Sequence, residues 1–242
     1  MGSVLADSYD TYAANLKLVL LFSIPFVIAF LIPLLAPLPS FTSLGAIFLR
    51  SASIFTNLNF VTVAVIFAAM FFSLLFISLA FVLINLIVKS RKTRLSISKR
   101  VLRDIEKYIG RVFLVLVIYT IALLLANVVG YALGSEALLT GIVGFFAFIP
   151  IFYAPSAIVI DNKGIVRSMS DSVRLVVKSP LYFIEWLFLA TVVISAVDFV
   201  LVSILGVYAG YVVLFAISLL ALPYFIIFIS EAYMRRFPIL RH

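Results

Sequence analysis

Six apolar runs, near residues 16–36, 60–88, 112–131, 139–160, 181–204 and 211–230, constrain this chain more than any other feature. Each can cross ~30 Å of hydrocarbon, which takes roughly 20 residues at about 1.5 Å per residue. The last two are nearly continuous from Leu181 to Ser230, and Gly206 and Gly210 divide them, because about 50 residues is twice what one crossing needs. With 65% hydrophobic and 12% charged residues among 242, no polar stretch is long enough to build a separate soluble core. The expected fold is all-α: a single polytopic transmembrane domain over residues 1–242, with six transmembrane helices and short cytoplasmic amphipathic helices. The first run is expected to stay in the mature protein, because Asp7 and Asp10 precede it where a signal peptide carries basic residues.

The chain has no cysteine, and its one histidine is His242. Thiol nucleophiles, disulfides and Cys-ligated metals are therefore excluded. No phosphate-binding loop, HExxH zinc site, nucleophile elbow or paired-aspartate arrangement occurs. The reading has no catalytic residue, no metal and no cofactor.

Basic residues orient the spans. The connection after the second run holds Lys89, Arg91, Lys92, Arg94, Lys99, Arg100, Arg103, Lys107 and Arg111, and that after the fourth holds Lys163, Arg167, Arg174 and Lys178. Arg235, Arg236 and Arg241 follow the sixth run and Lys17 opens the first, so only Arg50 of the 18 basic residues falls on the other side. Both termini are thus expected in the cytoplasm, at the cytoplasmic membrane. The net charge of +8 is this flanking bias, which points to anionic headgroups rather than nucleic acid.

The opposite connection, Pro33 to Asn59, carries Phe41, Leu44, Ile47 and Phe48 at helical spacing. That spacing predicts a helix at the outer interface or a re-entrant segment.

The segment IVRSMSDSVRLVVKSP is polar between two strongly apolar runs. A helix from Ile165 should end at Ser179, because Pro180 disfavours helical geometry in the residue before it. On it Arg167, Asp171, Arg174 and Lys178 share one side, while Ile165, Met169, Val173, Val176 and Val177 occupy the other. In SISKRVLRDIEKYIG, Ile97, Val101, Ile105 and Ile109 repeat every four residues, Lys99, Arg100, Arg103 and Lys107 face away, and Arg100 can pair with Asp104. The N-terminal ADSYDTYAANLK offers Tyr9, Tyr12, Ala13 and Leu16 on one side and Asp7, Asp10 and Lys17 on another. Each odd-numbered span thus follows an amphipathic segment, giving a loose threefold repeat of surface helix plus hairpin.

The run FYAPSAIVIDNKGIVRSMSDSVRLVVKSP resembles the signature of a bacterial and archaeal six-helix family that includes the membrane domain of membrane-bound glycerophosphodiester phosphodiesterases. Pro155, Gly164, Met169, Ser172, Ser179 and Pro180 take the places of that pattern, with Ser168 where alanine is usual and Ser179 where Asn or Gly is usual. The resemblance covers Phe152 to Phe183 and, more faintly, TYAANLKLVLLFSIPF. It implies a six-helix membrane fold and no activity, because the phosphodiesterase chemistry of those enzymes belongs to a separate soluble barrel.

Within the spans, Glu185, Asp198 and Asn127 are the polar candidates. Glu185 is expected to pair with Lys178, Arg174 or Arg111. Asp198 is expected to make an interhelical hydrogen bond, with Asn127 as partner if the third and fifth helices touch, or to line a solute path. Asn85 reads as an interhelical hydrogen-bond partner. Pro25, Pro150 and Pro223 should kink the first, fourth and sixth helices. The functional expectation is a non-enzymatic membrane protein that engages anionic lipid headgroups or a protein partner through Lys99, Arg100, Arg103, Lys107, Arg167, Arg174 and Lys178. The alternative is a transporter or channel for a small or amphipathic solute.

Overall fold

A computed structural model describes residues 3–35, 40–43, 46–49, 60–93 and 99–236. In chain order the elements are α1 (Val4–Ala14), α2 (Leu16–Leu35), β1 (Ser40–Ser43), β2 (Ala46–Leu49), α3 (Phe60–Thr93), α4 (Lys99–Ala132) and α5 (Glu136–Phe152). They continue as α6 (Ala154–Asp161), α7 (Ile165–Lys178), α8 (Pro180–Leu205), α9 (Ala209–Ala216) and α10 (Leu222–Arg236). Six helical stretches are long and apolar enough to cross a membrane: Leu16–Pro33, Val63–Arg91, Ile105–Ala132, Ala137–Asp161, Pro180–Leu205 and Ala209–Arg235. The described residues are all-α apart from one β-ribbon.

That ribbon corrects the helix expected around Phe41 and Phe48. β1 and β2 pair antiparallel, with Phe41 opposite Phe48 and Thr42 opposite Ile47. Four apolar positions in so short a window fit a helical period by coincidence, and Thr42, Ile47 and the two phenylalanines suit a pleated strand better. Leu44 lies outside the described residues.

The break between the fifth and sixth spans falls where glycine permits it. Gly206 adopts φ +55° and ends α8, a backbone region costly for any residue with a Cβ. Gly134, at φ +66°, does the same between α4 and α5.

The prolines act differently from one another. The fourth span is broken at Tyr153, between Pro150 near the end of α5 and Pro155 in the first turn of α6. Ser172 of α7 enters that break: its hydroxyl accepts from the Tyr153 backbone N–H at 3.0 Å and donates to the Ile149 carbonyl at 2.7 Å. Those two backbone groups would bond each other in an unbroken helix, so the serine is inserted into the ladder and stabilises the bend. In the sixth span a π turn, Ile217–Ala221, precedes Pro223 and gives the proline ring room against the preceding turn. Pro25 lies buried within α2.

The three amphipathic segments are built unlike one another. α1 is a separate helix, N-capped by the Ser3 hydroxyl accepting from Ala6 N–H at 3.2 Å. The second is no separate helix: α4 runs unbroken from Lys99 through its membrane-crossing part. α7 is separate, joined to α8 by Ser179 alone.

Packing is densest at the end of the bundle where the basic residues gather. There Val19, Ile84, Ile87, Tyr153, Ala157, Ile227, Phe228 and Tyr233 form one buried cluster across four spans, and Ile151 through Ile160 are all buried. α8 by contrast presents Leu181, Ile184, Phe188, Phe199 and Ile204 outward.

Candidate functional site

The basic end divides its cations into two sets, and the division follows from what the helix ends require. Where α6 stops, its last carbonyls have no partner within the helix. Lys89 of α3 donates to the Val159 carbonyl at 2.6 Å, its ammonium also lying 5.4 Å from the centre of the Tyr108 ring. Arg111 of α4 reaches the turn beyond, donating to the Asn162 side-chain oxygen at 3.0 Å and to the Lys163 carbonyl at 3.1 Å. Asn162 holds that turn in the left-handed region at φ +52°, a conformation Asn tolerates well. Two cations are thus committed to the negative end of one short helix.

Lys163 joins three elements. Its ammonium lies 2.9 Å from an Asp161 oxygen and 3.0 Å from Asp171 of α7, and it donates to the Tyr233 hydroxyl of α10 at 2.9 Å. Tyr233 in turn donates to Asp161 at 2.6 Å.

A third group docks α1 on the bundle. Its inward face is Val4, Ser8 and Thr11, which corrects the expected face of Tyr9, Tyr12 and Ala13; Tyr9 is 64% exposed. The Thr11 hydroxyl donates to Oε1 of Glu231 at 2.8 Å, and Arg91 donates to Thr11. Glu231 is fully buried. Asp7 pairs with Arg235 at 2.6 Å, and Tyr12 meets Tyr224 edge to face at 5.7 Å between centroids. Burial there pushes the Tyr12 phenol above its ordinary value, so it stays neutral. Deeper, the Ser230 hydroxyl donates to Asn85 at 2.7 Å and lies 3.2 Å from the Ser156 hydroxyl, joining three spans as Asn85 was expected to do.

The second set is turned outward. Lys17, Lys107, Arg167, Arg174 and Lys178 are exposed and make no ion pair or hydrogen bond among the described residues. The acids Asp7, Asp161, Asp171 and Glu231 are all engaged in the groups just described, leaving Asp10 and Glu106 as the exposed acids of this end among the described side chains. Lys107 and the cations of α7 belong to neighbouring surfaces, since Ile105, Ile109, Ile165 and Met169 all pack around the buried Tyr108–Val112–Ile158 cluster. Lys99, Arg100 and Arg103 lie on the first turns of α4, and their side chains are outside what is described, as is the Arg100–Asp104 pair.

α7 also turns differently from the expected two-sided helix. Its protein-facing stripe is Ile165, Ser168, Met169, Ser172, Leu175 and Val176, while Val166, Val173 and Val177 are 82%, 38% and 73% exposed. Ser168 and Ser172 point inward because each finds a backbone acceptor, Ser168 donating to the Gly164 carbonyl at 2.7 Å and Ser172 filling the break in the fourth span, while Ser170 is exposed.

The intramembrane candidates are not brought together. Among the described residues Glu185 has no ion pair; Arg111 is committed to the Asn162 turn, and Arg174 and Lys178 face outward. Asp198 makes no hydrogen bond among them either, because the third span packs along its neighbours α3 and α5 while α8 lies against α9 and α10. Asn127 lines an open groove of about 730 Å³ between α4 and α5, floored by Gly141 and Gly144 and edged by Tyr119 and Thr140. Neither Glu185 nor Asp198 reaches that groove. No cluster of three metal-ligating side chains occurs among the described residues.

The sequence reading missed Glu231, Tyr233, Lys163 and Thr11 as organising residues. An acid directly before AYMRR at the end of the last apolar run was the available signal for the first of them.

These features define a multi-pass membrane protein of six helices. No family model, curated protein or solved structure matches the chain.

Proposed function

We propose that this chain is a non-enzymatic protein of the cytoplasmic membrane, its basic end and both termini in the cytoplasm, that holds anionic lipid headgroups on the outward cations of α4 and α7. The observation that carries the reading is the division of charge. Asp7, Asp161, Asp171 and Glu231 are engaged inside the bundle, and Lys107, Arg167, Arg174 and Lys178 are left exposed on neighbouring helices, with Asp10 and Glu106 the exposed acids among the described side chains of this end. Such cations near a membrane surface contribute about 1 kcal/mol each toward anionic lipid. Their position flanking the spans supports a lipid surface rather than nucleic acid as the counterpart. Membership of the six-helix family that includes the glycerophosphodiester phosphodiesterase membrane domain is part of the same proposal. It is supported by Pro155, Gly164, Ser172 and Pro180 being the residues that build the break, the turn and the ends of α7.

Replacing Lys107, Arg167, Arg174 and Lys178 together by Gln tests the reading. Native mass spectrometry from mixed nanodiscs should show phosphatidylglycerol retention over phosphatidylcholine falling at least about tenfold, which requires only ~1.4 kcal/mol of the expected total. Unchanged selectivity would refute it, and a co-purifying protein lost with the four charges would replace lipid by a protein partner. A solute path through Glu185, Asp198 and Asn127 has less support, since Asn127 lines the groove between α4 and α5 and neither Glu185 nor Asp198 does.

A further inference from the structure

The exposed surface of α7 carries two different stripes, and together with its attachments they fix where the helix lies. At roughly 100° per residue, Val166, Val173 and Val177 centre about 120° from the protein-facing stripe, and Arg167, Arg174 and Lys178 centre about 100° beyond the valines. The helix therefore has three faces: one against the bundle, one apolar and exposed, one basic and exposed. An apolar stripe that faces neither protein nor lipid would leave Val166 and Val177 in water at 82% and 73% exposure.

The rotation of α7 is set from inside. Ser172 is held in the break of the fourth span by both of its hydrogen bonds, and Asp171 is tied to Lys163 at 3.0 Å. Its distance from the bilayer is set from its ends. Residues 162–164 separate it from α6, reaching at most about 10 Å when extended, and Ser179 alone separates it from the fifth span. A helix so tethered stays at the level where the spans leave the hydrocarbon.

We infer that α7 is an interfacial helix shared among three surroundings. Val166, Val173 and Val177 lie in the acyl–glycerol boundary of the adjacent leaflet, and Arg167, Arg174 and Lys178 meet phosphates of phospholipids whose chains pass the valines. The inference rests on the lipid-binding reading above and adds to it the depth and rotation of the helix. The ligand is a membrane phospholipid, recognised at its phosphate and upper acyl chain together.

The absence of cysteine from the chain makes labelling free of background. Single variants Val166→Cys, Val173→Cys, Val177→Cys, Arg167→Cys, Arg174→Cys and Lys178→Cys, spin-labelled in vesicles of phosphatidylcholine alone or mixed with phosphatidylglycerol, report accessibility to oxygen and to a water-soluble nickel chelate. The valine positions should favour oxygen by several-fold over the basic positions in both vesicle types. Nickel accessibility at the valines, or shielding of them from both reagents by protein, would overturn the inference. A second variant, Val173→Lys with Val177→Lys, should move a label at position 166 toward water; no movement would count against the inference as well. If anionic lipid is retained selectively while the valines sit in water, the inference fails and the lipid-binding reading stands. If the valines are embedded and charge selectivity is absent, the reading fails and the placement of the helix stands.

Discussion

Replacing Ser172 by alanine removes one hydroxyl and two hydrogen bonds, and its cost follows from where those bonds lie. Ser172 is fully buried and Tyr153 is 2% exposed, so water does not replace the lost group. Two intramolecular hydrogen bonds contribute about 0.5–1.5 kcal/mol each, and the Tyr153 N–H keeps the Ile151 carbonyl as a second acceptor. Straightening of the fourth span could restore a direct bond between Tyr153 N–H and Ile149 C=O, but Pro155 has no N–H to continue the ladder across the break. The expected loss is therefore about 1–3 kcal/mol. The single tryptophan reports on this region, since Trp186 lies 5.1 Å from Phe152 and 5.5 Å from Phe148 between ring centres. Unfolding in mixed micelles with rising dodecyl sulfate, followed by Trp186 fluorescence, measures the loss. Ser170→Ala on the exposed side of α7 is the control, expected within about 0.5 kcal/mol of the parent. If Ser172→Ala were no more destabilised than that control, the inserted serine would not be what stabilises the break.

Lys163→Met leaves Asp161 and Asp171 facing each other without a cation. Their side chains keep 24% and 14% exposure, so the loss should fall at or below the lower end of the roughly 3–5 kcal/mol seen when one member of a buried pair is removed. The added variant Asp171→Asn should return part of it in the same unfolding assay, and an additive double variant would contradict the network. Thr11→Val preserves shape while removing the hydroxyl between Arg91 and Glu231. Amide exchange over α1 should accelerate at least about tenfold, corresponding to ~1.4 kcal/mol of lost docking, with exchange in α3 unchanged; protection equal to the parent would show that apolar contacts alone hold α1. Gly206→Ala forces a Cβ into a φ of +55° with open space around it, so about 1–2 kcal/mol of backbone strain is expected and no packing penalty. A neutral thermal shift would mean that the turn is free to relax.

Most of the fold was legible because hydrophobic length is read directly from sequence. The six runs fall on the six spans, and Gly206 ends α8 for the reason that made it a candidate, its tolerance of positive φ. Legibility failed where the period was short or the partner distant. Phe41, Ile47 and Phe48 fit a helix by spacing and form a ribbon by pairing. Pro150 predicts a bend in the fourth span, yet the bend lies at Tyr153 and depends on a serine 19 residues away, which no local pattern reveals. α7 was placed and bounded correctly between Ile165 and Ser179, but its rotation was not. Hydropathy groups Val173 and Val177 with Ile165, Met169 and Val176 on one side, whereas Ser168 and Ser172 join the buried stripe because each finds a carbonyl, and Val173 and Val177 turn outward.

The same logic explains why the cations divided as they did. Lys89 and Arg111 reach carbonyls at the end of α6 and the turn beyond it, Arg91 reaches the Thr11 hydroxyl of α1, and Lys163 and Arg235 reach carboxylates on neighbouring elements. Counting charges by loop cannot separate these from Lys107, Arg167, Arg174 and Lys178, which follow the helical period of α4 and α7 and meet no such acceptor among the described residues. A cation spent on a helix end fixes the bundle, and one that repeats along an exposed stripe is still available to something outside it. The positive charge that orients the chain in a membrane and the charge proposed to hold lipid are thus different residues within the same loops, and removing the first set should cost stability while removing the second should cost binding.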